Sequence, residues 1–248
     1  MGTKLFKTKG IVLRTVKYGE TSLVVTIFTS LFGIQSYLVN GVRSSSKKGT
    51  GKANLFQPAA LLDLVVYHQD SKQLQRIKEF SWDHLYEGIF TDVTKNSIAL
   101  YMIELLTKCL RQPEENEPLF QFTEDSFLAL DQSDSAVRAN MALFYALQLT
   151  FFFGILPRLS ETDEPRYFDL QESVIGNTLP LHPNYAEGKQ VEICADLLKV
   201  RHPAELSEVK MNQEIRRQLL HTLEQYYQLH IQEFSAMKTL PVLRAILQ

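Results

Sequence analysis

Cysteine is nearly absent from this 248-residue chain: Cys109 and Cys194 are its only two. Two thiols exclude a disulfide framework and a four-cysteine zinc site, and they fit a reducing compartment. The start, Met1-Gly2-Thr3-Lys4, leads into a basic, alternating segment with no apolar core of signal-peptide length, so the expected location is the cytoplasm. Long apolar runs are scarce too. Nineteen residues between Arg138 and Arg158 carry no charge, but Asn140, Gln148 and Thr150 interrupt them and Pro157 closes them. A spanning helix needs about 20 mostly apolar residues, so this run reads as a buried helix and no membrane association is expected.

Catalytic and metal-binding signatures are missing as well. No G-x-S-x-G or H-E-x-x-H occurs. Gly49-Thr50-Gly51-Lys52 fails as a P-loop: Ser46 stands where the first glycine is required, and Ala53 replaces the hydroxyl residue. His182-Pro183 and His202-Pro203 read as turns, and His221 and His230 lack the i,i+4 spacing of helical metal capture. Cys109 falls on an apolar helical stripe and reads as a small core residue. No catalytic residue, metal or cofactor is assigned, and the chain is not read as an enzyme.

What the chain does have is a strong charge asymmetry. At 45% hydrophobic and 22% charged it can bury a core, and its formal net charge is only −2. Residues 1–52, however, carry nine Lys/Arg against the single acid Glu20, whereas the remaining 196 hold 17 basic and 27 acidic side chains. A basic head precedes an acidic body.

The first eighty residues read as five strands: 9–14, 23–29, 34–39, 59–67 and 72–80, with turns at Tyr18-Gly19-Glu20, Phe32-Gly33 and His68-Gln69-Asp70-Ser71. A polar loop, residues 43–52, interrupts them. Five short strands with a long basic loop predict a small barrel of the oligonucleotide-binding (OB) type, although SH3-like barrels have similar strand counts. After Trp82 the period turns helical. Ile98, Met102, Leu105, Leu106, Cys109 and Leu110 line one face, Asn116-Glu117-Pro118 opens a second helix, and Ser133 or Ser135 is the expected cap of the third. Residues 161–190 are less regular, with Tyr167-Phe168-Asp169-Leu170 strand-like. A long amphipathic helix through Ile215, Leu219, Leu223, Tyr226 and His230 follows, then a short one from Pro241. The expected fold class is therefore α+β multidomain: a five-stranded barrel over 1–81, then an all-helical domain over 82–248 with an irregular 161–190 insert.

The basic head is the one functional constellation. Its bland reading is a solubilising surface. Its functional reading is a groove that tracks a phosphate backbone by releasing counterions, with outward aromatics stacking bases. Lys7, Lys9, Arg14, Lys17, Arg43, Lys47, Lys48 and Lys52 are the candidate contacts. Tyr18 and Tyr37 are the aromatics expected outside the barrel, and Phe28 is expected in its core.

These residues carry a resemblance. Gly10-Ile11-Val12-Leu13-Arg14, Lys17-Tyr18-Gly19-Glu20 and Val25-Thr26-Ile27-Phe28-Thr29 with Gly33 resemble the amino-terminal domain of the RecO family, as do Asn40-Gly41-Val42-Arg43 and Phe56-Gln57-Pro58 before Leu61-Leu62-Asp63-Leu64. Tyr101 to Leu106 is similar to the family's leucine-rich first helix, and Gly154-Ile155-Leu156-Pro157-Arg158-Leu159 to its Gly-aromatic-x-Pro-x-Leu junction. The resemblance implies an OB-fold with a helical domain and a non-enzymatic recombination mediator in DNA repair. Such a protein binds single- and double-stranded DNA, anneals complementary strands, works with RecR, and engages single-strand-binding protein to help load recombinase. Lys210, Arg216, Arg217, Lys238 and Arg244 are the helical-domain cations suited to that protein's acidic tail. Two departures stand out. Many members carry four zinc-binding cysteines after the Pro-x-Leu junction, where this chain has Ser160-Glu161-Thr162-Asp163-Glu164, so no zinc is expected. Asn40 also replaces a usual lysine. A protein-interaction scaffold, or an RNA-binding barrel without annealing activity, remains the alternative.

Overall fold

The computed structural model describes residues 4–43, 52–110, 112–161 and 164–247. The chain divides into two compact units, Met1–Glu87 with Leu110–Leu128, and Gly88–Cys109 with Ala129–Gln248.

Unit one is a closed barrel of strands β1 (Lys4–Tyr18), β2 (Ser22–Thr29), β3 (Gly33–Val39), β4 (Leu61–His68) and β5 (Leu74–His84), in the order β1-β2-β3-β5-β4. That order is the OB-fold's. Closure depends on β1, which at 15 residues is long enough to serve two neighbours. Its first half pairs antiparallel with β4, from Lys4↔His68 to Ile11↔Leu61, and its second half with β2, from Gly10↔Thr29 to Tyr18↔Ser22. Parallel pairing of β3 with β5 through Ser36↔Leu74 and Leu38↔Arg76 shuts the remaining gap. β-Branched and aromatic residues fill the interior: Val25, Ile27, Tyr37, Leu62 and Val66 are fully enclosed. Gly10 marks the place where the walls come closest. A Cβ there would stand 2.6 Å from Ile27 Cγ2 and 2.7 Å from Leu64 Cδ1.

Two helices, α1 (Val93–Cys109) and α2 (Glu117–Gln132), come next in the chain. Asn116 Oδ1 caps α2 by accepting from Leu119 N at 3.0 Å. Within unit one, Phe120 on α2 covers Phe28 at a ring separation of 5.5 Å, so Phe28 is core, as the sequence predicts.

Unit two is built around α3 (Ser135–Phe152), the uncharged run. Residues 140–147 are all buried, and no helix among the described residues is long and apolar enough to cross a membrane. Its cap is Asp134, which accepts from Ala136 N and Val137 N at 2.9 Å, instead of the expected Ser133 or Ser135. Ser133 spends its hydroxyl on the Leu130 carbonyl at 2.7 Å. Each polar interruption of α3 has a partner. Asn140 Nδ2 donates to Leu206 O (3.1 Å) and Val209 O (2.9 Å), Gln148 Nε2 to Val200 O (3.1 Å), and Thr150 Oγ1 to Leu147 O (2.5 Å).

The expectation of an irregular insert understates this region. Strands β6 (Arg158–Leu159), β7 (Tyr167–Asp169), β8 (Val174–Gly176) and β9 (Tyr185–Glu187) form a small sheet in the order β6-β8-β7-β9. Helix α4 (Lys189–Lys199) follows, then α5 (Gln213–His230) and α6 (Leu240–Ile246). Asp169 ties the sheet's turns together, accepting from Gln171 N and Glu172 N while lying 3.2 Å from His182 Nε2.

Asn140 makes α3 testable. Replacing Asn140 with alanine strips two carbonyls of their donor, each costing about 1–3 kcal/mol where water cannot replace it. Urea unfolding followed by circular dichroism should show a loss of about 2 kcal/mol. Asn140→Ala at wild-type stability would show that water takes the amide's place.

Candidate nucleic-acid interface

The bent β1 decides where each basic residue of the head goes. Lys7 and Arg14 are seven residues apart on one strand, about 23 Å at 3.3 Å per residue. They therefore sit at different ends of the barrel wall, one half paired with β4 and the other with β2.

On the β4 side the cations meet acids. Lys9 Nζ lies 2.7 Å from Glu124 Oε1 on α2 and 3.2 Å from Asp83 Oδ1 on β5. Glu124 is almost fully buried, whereas Lys9 keeps 45% of its side-chain area in solvent. The hydrogen bond to Glu124, opposed by desolvation and aided by Asp83, holds the Lys9 ammonium above the ordinary lysine value. Lys7 shares a shallow pocket with Asp63 and Glu79. Lys78 pairs with Glu79 at 3.3 Å. This face is of mixed charge.

The other half of β1 looks different. Arg14, Val16 and Tyr18 point outward, and Tyr18 is 57% exposed. The register continues the face across β2 and β3: Arg14↔Thr26↔Ser36 and Val16↔Val24↔Leu38. Arg43 belongs to this end, because its guanidinium donates to Gly19 O at 3.1 Å and its backbone N to Thr21 O at 3.0 Å. Lys52 does too. It opens a short 3-10 turn (Lys52–Phe56) whose Phe56 carbonyl accepts from Thr15 Oγ1 at 2.5 Å. Arg14, Lys17 and Tyr18 thus lie on the β1–β2 hairpin with the exposed acid Glu20 in its turn, Arg43 bonds that turn, and Lys52 opens the segment that bonds Thr15. Lys47 and Lys48 lie outside the described residues.

Tyr37 requires a correction. It was expected outside the barrel and is fully buried inside it, opposite Val25. Desolvation raises its hydroxyl well above the ordinary tyrosine value. In β3, residues 34–36 are all partly exposed, and only the pairing register settles which way residue 37 faces.

Sequence reasoning missed a second group of cations. Lys72 in the β4–β5 turn and Arg76 on β5 border a groove of about 500 Å³ beside Tyr67. The alternation Leu74–Arg76–Lys78 could have found Arg76, but it falls outside the basic segment that drew attention.

The helical-domain cations are dispersed. Lys210 and Arg216 line one groove of about 450 Å³ with Ala139, Val209, Met211 and Ile215. Burial holds the Arg216 guanidinium below its ordinary value. Its Nη2 donates to Asn140 Oδ1 at 3.3 Å, while its Nε is enclosed without a partner. Arg217 instead donates to the Arg244 carbonyl at 3.2 and 3.3 Å, tying α5 to α6. Lys238 leads into α6, where Glu104 accepts from its backbone N at 2.8 Å. No three His, Cys, Asp or Glu side chains among the described residues are grouped to hold a metal. Burial pushes the Cys194 thiol up to about 12, which keeps it protonated near neutrality.

The closed barrel and its strand order define an OB-fold protein with a second, mainly helical unit. Comparison with known families then narrows the class. The model of recombination protein O's N-terminal region matches residues 1–86, and that of its C-terminal region residues 91–240. The DNA repair protein RecO of Christiangramia forsetii is 34% identical over 242 residues, covering 98% of this chain and 99% of the relative. Those of Bacteroides fragilis and Flavobacterium johnsoniae are 34% and 32% identical, each covering 97–98% of this chain. The chain belongs to the RecO family of DNA repair and recombination proteins.

Lys9 separates stabilising cations from available ones. Lys9→Met leaves Glu124 buried without its counter-charge. A fully enclosed pair would lose about 3–5 kcal/mol, but the exposed lysine reduces this to about 1–2 kcal/mol in denaturant unfolding. Lys9 carries its charge below the ordinary lysine value of 10.5. The native–variant difference should therefore be full at neutral pH and shrink as pH rises through the elevated folded-state value.

Proposed function

We propose that this protein binds single- and double-stranded DNA through the outer face of its barrel, without catalysing a reaction on it. In this reading it anneals complementary strands and, with RecR, helps load recombinase onto strands covered by single-strand-binding protein. The observation that carries the reading is the cluster Arg14, Lys17, Tyr18, Arg43 and Lys52 around an OB-fold hairpin, in a chain of the RecO family. Lysines 47 and 48 extend the same segment in sequence.

Annealing follows from the physics of such a surface. Phosphates are neutralised by cations, so two strands held on one protein repel each other less. No aromatic occurs among the outward residues Ser22, Val24, Thr26, Ile34, Ser36 and Leu38 of β2 and β3. Few bases are then locked in stacks, and their pairing edges stay free.

Contact with about six phosphates predicts a slope near −4 for log K against log salt on single strands, and a steeper one on duplex. Replacing Arg14, Lys17, Arg43 and Lys52 with alanine should flatten the slope by about 0.7 per residue. Fluorescence anisotropy of labelled oligonucleotides across a salt series measures both. A native protein whose binding ignores salt would overturn the proposal, and equal preference for RNA would move it to the RNA-binding alternative.

A partner-binding role is favoured by the Lys210–Arg216 groove. Apolar walls with a half-buried guanidinium lacking a carboxylate suit the acidic, apolar-ended tail of single-strand-binding protein. Arg216→Ala should weaken binding of that tail peptide by at least about tenfold, the worth of one charge-assisted hydrogen bond. DNA affinity should stay unchanged. Tail binding in a protein with no DNA affinity would favour the scaffold reading.

A further inference from the structure

We infer that the open edge of β9, facing α5 across a groove, is a docking site for an extended, basic segment of a partner protein, which joins the small sheet as a parallel fifth strand. The site lies wholly in the second unit and shares no residue with the barrel or with the Lys210–Arg216 groove. It goes beyond the DNA-binding reading and does not depend on it.

The backbone defines the edge. β9 ends the order β6-β8-β7-β9, so only one of its sides is paired. Its register with β7 runs Tyr167↔Glu187, Phe168↔Ala186 and Asp169↔Tyr185, and one step further Leu170 N donates to Asn184 O at 3.0 Å. Hydrogen-bonded pairs alternate along an antiparallel ladder, so Asn184 and Ala186 turn their peptide groups toward β7. Tyr185 and Glu187 turn theirs to the open side. Two of those four groups are spent locally: Tyr185 N donates to Pro183 O at 3.0 Å, and Glu187 O accepts from Gln190 Nε2 at 3.2 Å. Tyr185 O and Glu187 N keep no partner among the described residues. A free acceptor and a free donor flanking Ala186 are the two groups that one residue of a parallel neighbour engages, by its own N–H and C=O. Copies of this chain related by a two-fold axis would pair β9 with β9 antiparallel, so a second copy cannot use both groups through one residue.

The edge opens on a groove built to receive a strand. Gln190 Oε1 accepts from Thr222 Oγ1 at 2.9 Å, so one amide ties the open side of β9 to α5. A groove of about 500 Å³ runs there, with Tyr185, Ala186 and Glu187 on one wall and Gln218, His221 and Gln225 of α5 on the other. A strand edge opposite a helix is a recurring arrangement for adding a peptide to a sheet. Charge selects the ligand. No lysine or arginine lines this groove, and the nearest in sequence, Lys189, pairs with Glu192. His221 lies 3.9 Å from the Glu224 carboxylate. The Glu187 carboxylate is exposed and makes no ion pair among the described residues. Phosphates and acidic tails find no strong cation here, whereas a lysine or arginine beside Glu187 finds its counter-charge.

The test uses the full-length protein and a labelled heptapeptide of alternating threonine and lysine, with threonine at both ends. Nuclear magnetic resonance should show a saturable shift of the Glu187 amide, and fluorescence anisotropy gives the affinity. Lysines on the Glu187 side place threonine opposite Ala186, with its N–H toward Tyr185 O. N-methylation of the threonines should therefore abolish binding, and N-methylation of the lysines should leave it within about twofold. Glu187→Pro removes the donor at an edge position where proline is tolerated, and should lower affinity at least about tenfold. Glu187→Gln keeps the donor and should cost about threefold, as should glutamate in place of lysine in the peptide. Oligothymidylate affinity should stay native in both variants, and circular dichroism checks their fold. Absence of a saturable shift, equal binding of the two methylated peptides, or tighter binding of the glutamate peptide would each overturn the inference. A native dimer that Glu187→Pro converts to monomer in sedimentation would assign the edge to a second copy and overturn it too.

Discussion

Everything in the barrel depends on one strand serving two walls. β1 can pair with β4 and then with β2 only because it bends within a few residues, at Gly10 and at the register shift between Val12 and Arg14. A Cβ at residue 10 would press on Ile27 Cγ2 and Leu64 Cδ1, so those side chains would have to shift within the interior that Val25, Tyr37 and Val66 fill. A bulge adds local twist and redirects the residues beyond it. The same bend that closes the barrel therefore decides which basic side chains look toward β4 and which toward β2.

That division has energetic consequences. Lys9 is committed to Glu124 and Asp83, and the pairing keeps a buried carboxylate tolerable where α2 meets the barrel wall. Among the described residues neither Arg14 nor Lys17 makes an ion pair, and the Arg43 guanidinium donates to the Gly19 carbonyl. Like charges gathered without compensation cost stability, and a binding surface tolerates that cost when an anionic ligand supplies the missing charge. Basic residues counted along the first 52 positions thus include two physical kinds, and counting alone treats them as equal.

The barrel was legible because its strands carry β-branched runs and its turns carry glycine where φ is positive. Gly33, at φ +59, sits so close to the Glu114 backbone that a Cβ would approach its oxygen to 2.1 Å. Strand direction was readable; facing was not. Tyr37 shows why, since the partly polar stretch before it gives no clean alternation and only its pairing with Val25 places it inward. The β6–β9 sheet was illegible for another reason. Strands of two or three residues are too short for any period, and their order comes from non-local hydrogen bonds such as Ser160 N to Ile175 O at 2.9 Å and Arg166 N to Gly176 O at 2.9 Å. Arg76 escaped notice because no run of cations surrounds it; only the sheet brings it into line with Leu38.

The second unit solves a comparable problem with polar groups in place of charge. In this chain Asp169 and His182 join the turns of the small sheet, and Tyr226 on α5 reaches Ser173 at 2.7 Å. His230, the last residue of α5, contacts Leu170 O at 2.7 Å, so the helix end is fastened to the β7–β8 turn. Side-chain networks of this kind are directional, and one unsatisfied member costs more than a lost apolar contact. Arg216 is one place where the network stops short, with Asn140 accepting from one nitrogen and the enclosed Nε unpartnered; Nε and Nη2 of Arg244 and Nδ1 of His182 are likewise enclosed without partners. A buried donor left open beside apolar walls is a cost within the unit, and an incoming acceptor would offset it. The barrel and the helical unit thus share one logic, in which most polar groups are spent on the fold and the few left unspent mark the surfaces to test.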